Sequence, residues 1–300
     1  MKKDSKIYIA GHTGLVGGAI LRHLQREGYT NLVLRTRGEL DLLNTQEVNR
    51  LFFDERPEYV FMCGAKVGGI GANTKEPADF IYENIKIQTN LIKASYEYGV
   101  TKLLFLGSSC IYPRLSPQPI KEEYFLSGEL EPTNRAYAVA KIAGITMCQS
   151  FNKQYGTNFV SVMPTNLYGP NDNYDLETAH VLPAMIRKFH EGNVALWGDG
   201  SARREFLYVD DLAEACVFLM NTYNESEIIN IGTGEDVSIK DLANLVGEIV
   251  GHKGEVTWDT SKPNGMPRKL LDVSKINALG WKAKTPLVDG VRRTYEAYIS

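Results

Sequence analysis

The chain has 300 residues, of which 43% are hydrophobic and 23% are charged, and its formal net charge is -3. A chain of this kind can bury a large core, and it offers no broad basic surface for nucleic acid. No apolar run approaches the roughly 20 residues of a membrane span, and the first residues lead into a short strand instead of a signal-peptide core, so we expect a cytoplasmic protein.

The cysteines and histidines are scattered along the chain. The cysteines form no Cys-x-x-Cys pair, which fits neither a disulfide framework nor a zinc site, and the histidines lack metal-ligand spacing. We therefore expect reduced thiols and no metal. The residues are Cys63, Cys110, Cys148, Cys216, His12, His23, His180, His190 and His252.

The first half of the chain alternates short apolar strands with longer amphipathic segments, which is typical of parallel βαβ units. The pattern predicts an α/β fold with a doubly wound parallel sheet, whose ligands bind beyond the carboxyl ends of the strands. Strands are predicted at Ile7–Ala10, Leu32–Arg35, Tyr59–Met62, Leu103–Leu106 and Phe159–Met163, and helices near 15–27, 44–54, 77–98 and 136–155. The residues expected at the five strand ends are Gly11, Arg35, Gly64, Ser108 and Pro164.

After about residue 165 the sequence changes to loops rich in Asn, Gly and Pro, followed by predicted helices near 178–191, 210–222, 238–250 and 286–299. This pattern predicts a smaller α/β lobe. Ile228–Gly232 is predicted to be a strand that rejoins the large sheet. The expected division is therefore residues 1–165, with a returning segment near 206–235, and a second lobe formed mainly by residues 166–300.

A glycine-rich turn, Gly11-His-Thr-Gly14-Leu-Val-Gly17, directly follows the first predicted strand and opens a helix. In this context glycines allow a tight turn and bring a pyrophosphate against the helix N–H groups. The alternative is an ordinary strand-to-helix turn. The Gly-x-x-Gly-x-x-Gly spacing departs from the usual Rossmann spacing and resembles the extended branch of the short-chain dehydrogenase/reductase superfamily.

The second predicted strand ends in Arg35-Thr-Arg37, where an NAD enzyme usually carries Asp or Glu for the ribose 2′-hydroxyl. A guanidinium at this place can pair with a 2′-phosphate, so the sequence favours NADP(H) over NAD. Two solvated surface arginines are the alternative. Asp41 comes too late to replace the missing acid, and we expect it on the adenine side of the cofactor.

Three pairs share a Tyr/Lys spacing of four residues: Tyr82/Lys86, Tyr98/Lys102 and Tyr137/Lys141. The spacing sets phenol and ammonium one helical turn apart, where the cation can lower the tyrosine pKa. Only the third pair follows a strand that ends in Gly107-Ser108 and a helix-start sequence. We predict that Tyr137 is the acid for a ketone, that Ser108 binds the carbonyl, and that Lys141 also holds the nicotinamide ribose.

Cys110 lies two residues beyond Ser108 and is expected to face the substrate. A small buried hydrophobe is the more usual role of a cysteine. As a thiolate, Cys110 can remove a proton next to a ketone, and His180 can return a proton to the other face. Spacing alone leaves both assignments open.

Four motifs occur together in register: the Gly11–Gly17 turn, Ala65-Lys-Val-Gly-Gly-Ile70, Gly107-Ser-Ser-Cys-Ile-Tyr-Pro113 and Met163-Pro-Thr-Asn-Leu-Tyr-Gly-Pro170. With them the chain resembles the GDP-L-fucose synthase family nearly from end to end, through Trp197-Gly198, Arg204–Asp211 and Lys262–Asp272. The resemblance implies that GDP-4-keto-6-deoxy-D-mannose is epimerised at C3 and C5 and then reduced at C4 by NADPH. It also implies a homodimer that packs helices near 78–98 and 137–155.

The resemblance assigns a role to individual residues. Ser108, Tyr137 and Lys141 would serve the reduction, and Cys110 and His180 the epimerisations. The implied nucleotide-sugar contacts of the second, substrate-binding lobe are Lys188, Trp197, Arg204, Lys269 and Asp272. The implied cofactor contacts are Gly11, Thr13, Gly14, Leu15, Val16, Gly17, Arg37, Asp41, Leu42, Leu106, Gly107, Ser108, Ser109, Lys141, Pro164, Thr165, Asn166, Leu167 and His180. Family members can carry arginine in place of Thr13, which leaves more of the NADP selectivity to Arg37.

Three competing functions make different demands on the sequence. A sugar-nucleotide 4-epimerase would keep NAD tightly bound and carry an acid after the second strand. A 4,6-dehydratase would need an acidic pair after Ser108, where this chain has Ser109-Cys110. A non-enzymatic NADP-binding regulator would have lost the Tyr, Lys or Ser, and all three are present.

Overall fold

The computed structural model describes residues 1–262 and 265–300. The strands of these residues are β1 (Ile7–Ala10), β2 (Leu32–Val33), β3 (Tyr59–Met62), β4 (Lys102–Leu106), β5 (Phe159–Pro164), β6 (Asn166–Tyr168), β7 (Val194–Trp197), β8 (Arg203–Arg204), β9 (Phe206–Tyr208), β10 (Ile229–Ile231), β11 (Val237–Ser238), β12 (Val256–Asp259) and β13 (Arg268–Lys269). The helices are α1 (Leu15–Arg26), α2 (Thr45–Glu55), α3 (Ile70–Lys75), α4 (Pro77–Glu97), α5 (Arg135–Tyr155), α6 (Val181–Glu191), α7 (Val209–Thr222), α8 (Ile239–Val250), α9 (Ser274–Ala278) and α10 (Leu287–Ile299).

The largest sheet has six parallel strands in the order β10-β5-β4-β3-β1-β2. The strand order reverses between β1 and β3, because the chain adds β2 on one side of β1 and β3 on the other. The crevice beyond the carboxyl ends of these two strands is where such sheets bind ligands. The predicted doubly wound α/β fold is thereby confirmed, and the strand predicted at Ile228–Gly232 joins the sheet as β10 beside β5.

Alternating side chains of β1 show how both faces of the sheet are covered. Ile7 and Ile9 pack in one buried cluster with α1 and α7, and Tyr8 and Ala10 pack in another with α2, α4 and α5. Successive strand residues point to opposite faces, so a strand that is buried throughout requires helices on both. The continuous burial of β1, β4 and β5 follows from this arrangement.

Local sequence signals fix the ends of several helices. The Asn44 side chain accepts hydrogen bonds from Gln46 N and Glu47 N and so caps α2. Gly156 and Gly192 adopt left-handed backbone conformations directly after α5 and α6. Two short helices, α3 and α9, were not predicted, because five or six residues are too few to display a helical period.

The second predicted strand is shorter than expected and ends at Val33 instead of Arg35. It is the edge strand of the sheet and pairs only with β1. The chain then turns away, because the Glu39 carboxylate accepts hydrogen bonds from both the backbone N and the hydroxyl of Thr36, each at 2.8 Å.

The remaining residues form a smaller lobe around a third buried hydrophobic cluster. Side chains of α6, α8 and α10 pack there against β7, β9 and β12. Three small sheets accompany them, in the orders β11-β8-β13, β12-β7 and β6-β9. In the described part of the chain, no helix combines the length and apolar character needed to span a bilayer.

Candidate active site

The glycine turn after β1 is shaped for close backbone approach. Gly11 has a φ of +83°, and a Cβ there would lie 2.8 Å from Gly64 Cα, so neither its conformation nor its surroundings suit another residue. A Cβ on Gly17 would lie 2.2 Å from Gly11 O. Gly14 N donates to Gly11 O, and Gly14 precedes α1 without a side-chain cap or an acidic residue in the first turn. The uncapped amides fit a pyrophosphate, which is the group that this cradle would bind.

The remaining predicted cofactor contacts surround the same edge of the sheet. Thr13 is exposed, and Leu15 and Val16 begin α1, half-buried. Leu106 ends β4, where a Cβ on Gly107 would lie 2.4 Å from Met163 Cε of β5. Pro164 ends β5, Asn166 and Leu167 form part of β6, and Thr165 N donates to Ile231 O.

The two arginines near the end of β2 differ in their surroundings. Arg35 Nη2 lies 2.6 Å from a carboxylate oxygen of Glu55, so this guanidinium is already paired. Arg37 is exposed and remains the predicted partner of a 2′-phosphate. Asp41 accepts a hydrogen bond from Leu43 N at 3.0 Å, and Leu42 packs against the core at Gly64.

Ser108 and Cys110 lie together just beyond the end of β4. Ser108 Oγ is 3.0 Å from Cys110 Sγ and also accepts a hydrogen bond from Cys110 N. Ser109 is buried between them, in a short 3₁₀ turn that spans Ser109–Ile111. The turn therefore directs the hydroxyl and the thiol to one side, and both side chains are partly exposed there.

Tyr137 and Lys141 lie one turn apart near the start of α5. Lys141 is 4% exposed, and its Nζ donates to Leu106 O at 2.7 Å and lies 5.7 Å from the centre of the Tyr137 ring. Burial lowers the pKa of Lys141 to about 8. The expectation that this cation lowers the tyrosine pKa is wrong here: burial, and after it the negative charge of Cys110, hold the pKa of Tyr137 above its ordinary value, against the lowering by a hydrogen bond with Ser108. A phenol that keeps its proton is suited to act as an acid.

The lysines of the two other Tyr/Lys pairs bond other parts of the chain. Tyr82 is 66% exposed, and Lys86 Nζ donates to the hydroxyl of Thr45. Lys102 is buried, and its Nζ donates to the carbonyl oxygens of Leu219 and Met220 near the end of α7. Cations at helix C-termini satisfy carbonyl groups in this way.

His180 occupies the position directly before α6, and its ring makes no hydrogen bond with any described residue. The ring keeps access to solvent, yet the protein around it restricts its hydration and, with the charge of Lys269, lowers its pKa. The charge of Cys110 in turn affects the pKa values of Tyr137, Lys141 and Lys269. The predicted catalytic groups thus share one site with Lys269.

The predicted nucleotide-sugar contacts lie on the smaller lobe. Arg204 and Lys269 are register partners in the parallel pair β8 and β13, and burial lowers the pKa of both. Trp197 is 52% exposed, with Lys262 Nζ 5.6 Å from its ring centre. Lys188 Nζ donates to Ala195 O, and the Asp272 carboxylate accepts from Ser274 N at the start of α9. Two residues of the Lys262–Asp272 motif, Pro263 and Asn264, lie outside the described residues.

Glu205 is a site element that the sequence reasoning missed. It is fully buried, and its carboxylate accepts hydrogen bonds from the backbone N of Thr233, Gly234 and Leu271 at 2.6, 2.8 and 3.0 Å. Its own carbonyl accepts from Asn166 Nδ2, so it joins the β8–β13 pair to the strand end beside the cofactor crevice. The available signal was an acid directly before the apolar run Phe206–Tyr208.

A dinucleotide cradle at the switch point of a parallel sheet, with a Ser/Tyr/Lys group beyond the end of β4, defines an enzyme of the short-chain dehydrogenase/reductase type. Residues 7–232 match the model of the NAD dependent epimerase/dehydratase family, and the chain belongs to that family. Within it, the chain is 57% identical over 305 residues to "Putative GDP-L-fucose synthase 2" of Arabidopsis thaliana, covering 100% of this chain and 93% of the relative.

Solved structures of GDP-sugar enzymes are similar to this chain as well. A GDP-6-OMe-4-keto-L-xylo-heptose reductase from C. jejuni superposes with a TM-score of 0.95 at 42% identity and covers 100% of this chain and 99% of its own. MlghC, a GDP-mannoheptose C4 reductase from Campylobacter jejuni with NADP bound, superposes with a TM-score of 0.92 at 45% identity and covers 100% of both chains. The chain is therefore similar over its whole length to proteins named for work on GDP-sugars.

Proposed function

We propose that this protein is a bifunctional NADPH-dependent epimerase-reductase that converts GDP-4-keto-6-deoxy-D-mannose to GDP-L-fucose. The observation that carries the proposal is the contact between Ser108 and Cys110, 3.0 Å apart, because it sets a thiol beside the group that would bind the ketone. The Arabidopsis relative named for GDP-L-fucose supports the substrate, and the NADP-bound C4 reductase supports the cofactor.

The same carbonyl would be used twice. Protons on carbons next to a ketone are acidic only because the enolate charge falls on oxygen, and the hydroxyls of Ser108 and Tyr137 would stabilise that oxygen. Cys110, as a thiolate, removes the proton, and His180 returns one to the opposite face of the carbon. Bound NADPH would supply the hydride for C4, and Tyr137 gives its proton to the oxygen. Epimerisation comes first, since reduction removes the carbonyl that makes the protons acidic.

We further propose that the two lobes bind different ligands. Residues 1–165, with the returning segment near 206–235, would bind the cofactor, and residues 166–300 would bind most of the substrate. Arg204 and Lys269 support this division, because two neighbouring cations on paired strands suit a diphosphate. Trp197 offers an exposed aromatic face for the guanine or ribose.

The test follows hydrogen exchange from solvent. Purified protein with NADPH and the keto sugar nucleotide in D₂O should consume NADPH and yield product deuterated at C3 and C5. A second candidate is a C4 reductase without epimerase activity, which the similarity to the C. jejuni GDP-keto-heptose reductase favours. NADPH consumption without deuterium at either carbon would support that candidate and refute the epimerase half of the proposal.

We also propose a homodimer formed by α4 and α5. These helices pack against each other and leave apolar residues on their outer faces: Tyr82, Ile85 and Val139 are 66%, 37% and 37% exposed. A second copy would cover them. Sedimentation should give a dimer for the native protein and a monomer for Val139→Glu, with Phe53→Glu on the exposed face of α2 as the control that stays dimeric. A monomeric native protein would refute this part of the proposal.

A cytoplasmic location completes the proposal. The proposed role of Cys110 requires a free thiol, and thiols persist in reducing compartments. Cell fractionation should recover the protein with cytoplasmic markers, and recovery from an oxidising compartment would contradict the assignment.

A further inference from the structure

The way in which His180 is held differs from that of Ser108, Cys110 and Lys141, each of which makes a hydrogen bond at the end of β4. Its ring makes no hydrogen bond with a described residue, and its side chain does not cap α6. No hydrogen bond to a described residue therefore orients the imidazole. Its position depends on the backbone of the segment that leads into α6.

The backbone of that segment packs against Gly69. Gly69 N donates to Thr178 O at 2.9 Å, and a Cβ on Gly69 would lie 2.6 Å from Ala179 O. Gly69 has φ −66° and ψ −178°, a conformation open to any residue, so backbone freedom is not the reason for glycine at this position. The reason is space. The backbone at Gly69 approaches the backbone at Ala179, one residue before His180, more closely than a side chain allows.

The neighbouring glycines extend the same contact. A Cβ on Gly68 would lie 3.6 Å from Thr178 O, and one on Gly71 would lie 3.3 Å from Glu177 O. The Ala65–Ile70 loop thus lies along the backbone of residues 177–179. Gly69 is the point at which this approach is tightest.

The loop itself is fixed to α3 and α4. The buried Asn73 donates through Nδ2 to the carbonyls of Gly68 and Gly69 at 2.8 and 3.0 Å. Asn84, 2% exposed, bonds both the backbone N and the carbonyl of Lys66. Because buried amide side chains hold this loop at both ends, its backbone is a rigid support for residues 177–179.

The segment on the other side of the contact is ordered as well. The Asp175 carboxylate accepts hydrogen bonds from Glu177 N, Thr178 N and the Thr178 hydroxyl, at 3.1, 3.1 and 2.9 Å. This turn directs the carbonyl of Thr178 towards Gly69. The Ala65–Ile70 loop and the turn at Asp175 are therefore each ordered by their own hydrogen bonds, and they meet at Gly69.

We propose that Gly69 is a positioning residue for His180, which keeps the imidazole opposite Cys110 across the substrate. The inference rests on the epimerase function proposed above. In the step at issue, the imidazolium gives its proton to the enolate carbon, the enolate electron pair becomes the new C–H bond, and neutral imidazole remains. If His180 is displaced, the Cys110 thiol exchanges the abstracted proton with solvent and returns a deuteron from D₂O to the face from which the proton came, so exchange continues without inversion.

The test is Gly69→Ala, with Gly38→Ala as the control, since a Cβ at Gly38 meets no atom within 4 Å. In D₂O we expect Gly69→Ala to lose inverted product about 10- to 100-fold, the cost of a misplaced group, while deuterium exchange and NADPH affinity stay within about twofold. Gly38→Ala should match the native protein. Inversion at the native rate, or equal losses of inversion and NADPH affinity, would overturn the proposal.

A second measurement needs no turnover. The NMR signals of the His180 ring in the ligand-free protein should shift in Gly69→Ala and remain unchanged in Gly38→Ala. An unchanged His180 signal in Gly69→Ala would also overturn the proposal. If the native protein forms no inverted product, the epimerase function fails, and this comparison still decides whether Gly69 positions His180.

Discussion

The groups predicted to reduce the ketone and the imidazole predicted to return a proton are held in contrasting ways. Lys141 is buried and bonded to Leu106 O at a strand end, and Ser108 accepts a hydrogen bond from Cys110 N in the adjoining turn. His180 stands before α6 with a ring that bonds no described residue. The reductase groups are thus gathered at the end of β4, by the turn that carries Ser108 and by Lys141 of α5, whereas a separate segment brings the proton-return group to them. Mutations should therefore be able to separate the two half-reactions.

The largest effect should come from a change in the reductase groups. Tyr137→Phe removes the proton given to the ketone oxygen, so NADPH consumption should slow by about 10² to 10⁴ with NADPH binding retained. Tyr98→Phe, at another site with the same Tyr/Lys spacing, is the matched control and should reduce at the native rate. Stopped-flow absorbance of NADPH measures both, and native reduction by Tyr137→Phe would exclude the phenol as the acid.

Substrate binding should weaken when the second lobe loses a cation. Lys269→Met removes a proposed diphosphate contact, and the loss of a charged hydrogen bond raises the substrate KM by about 10- to 100-fold. The KM for NADPH should not change. Lys253→Met, at an exposed position, serves as control. Steady-state kinetics would contradict the assignment if Lys269→Met raised both KM values equally.

The pH dependence of reduction should report Lys141. Burial lowers its pKa to about 8, so the ammonium is present below that pH and is lost above it. We expect kcat/KM for reduction to fall about tenfold for each pH unit beyond 8. A profile that is flat to pH 9.5 would show that the charge of Lys141 is not required.

The smallest effect concerns cofactor choice. Arg37 is exposed, and exposed ion pairs contribute little, so Arg37→Ala should raise the KM for NADPH by only about fivefold and leave that for NADH unchanged. Kinetics with the two cofactors measure the difference. An equal change for both would mean that Arg37 does not contact the 2′-phosphate.

The parts of the fold that repeat along the sequence were the parts that could be predicted. Strand–helix alternation predicted the parallel sheet, and periodic apolar residues predicted α1, α4 and α5 within a residue or two of their observed ends. The strand near Arg35 ended early, because a side-chain bond between Glu39 and Thr36 turns the chain. No periodic pattern encodes such a local bond.

The site was predictable only where its residues follow strand ends or helical spacing. Ser108 satisfies the first rule and the Tyr137/Lys141 pair satisfies the second, and the structure places all three at the end of β4. The direction of the Tyr137 pKa shift depends on burial by distant parts of the chain, and spacing cannot reveal it. Gly69 and Glu205 act through contacts with residues far along the sequence, at Thr178 and Leu271, and no local signal marks those partners.

A thiol beside a ketone-binding group is proposed to make this reductase site an epimerase as well. Deuterium exchange at C3 and C5 isolates that step when NADP⁺ replaces NADPH, so that reduction cannot occur, and it is measured in the native protein and in Cys110→Ser. We predict exchange in the native protein and a rate about 10² to 10⁴ lower in Cys110→Ser, with NADPH affinity unchanged. Equal exchange rates in the two proteins would contradict the account.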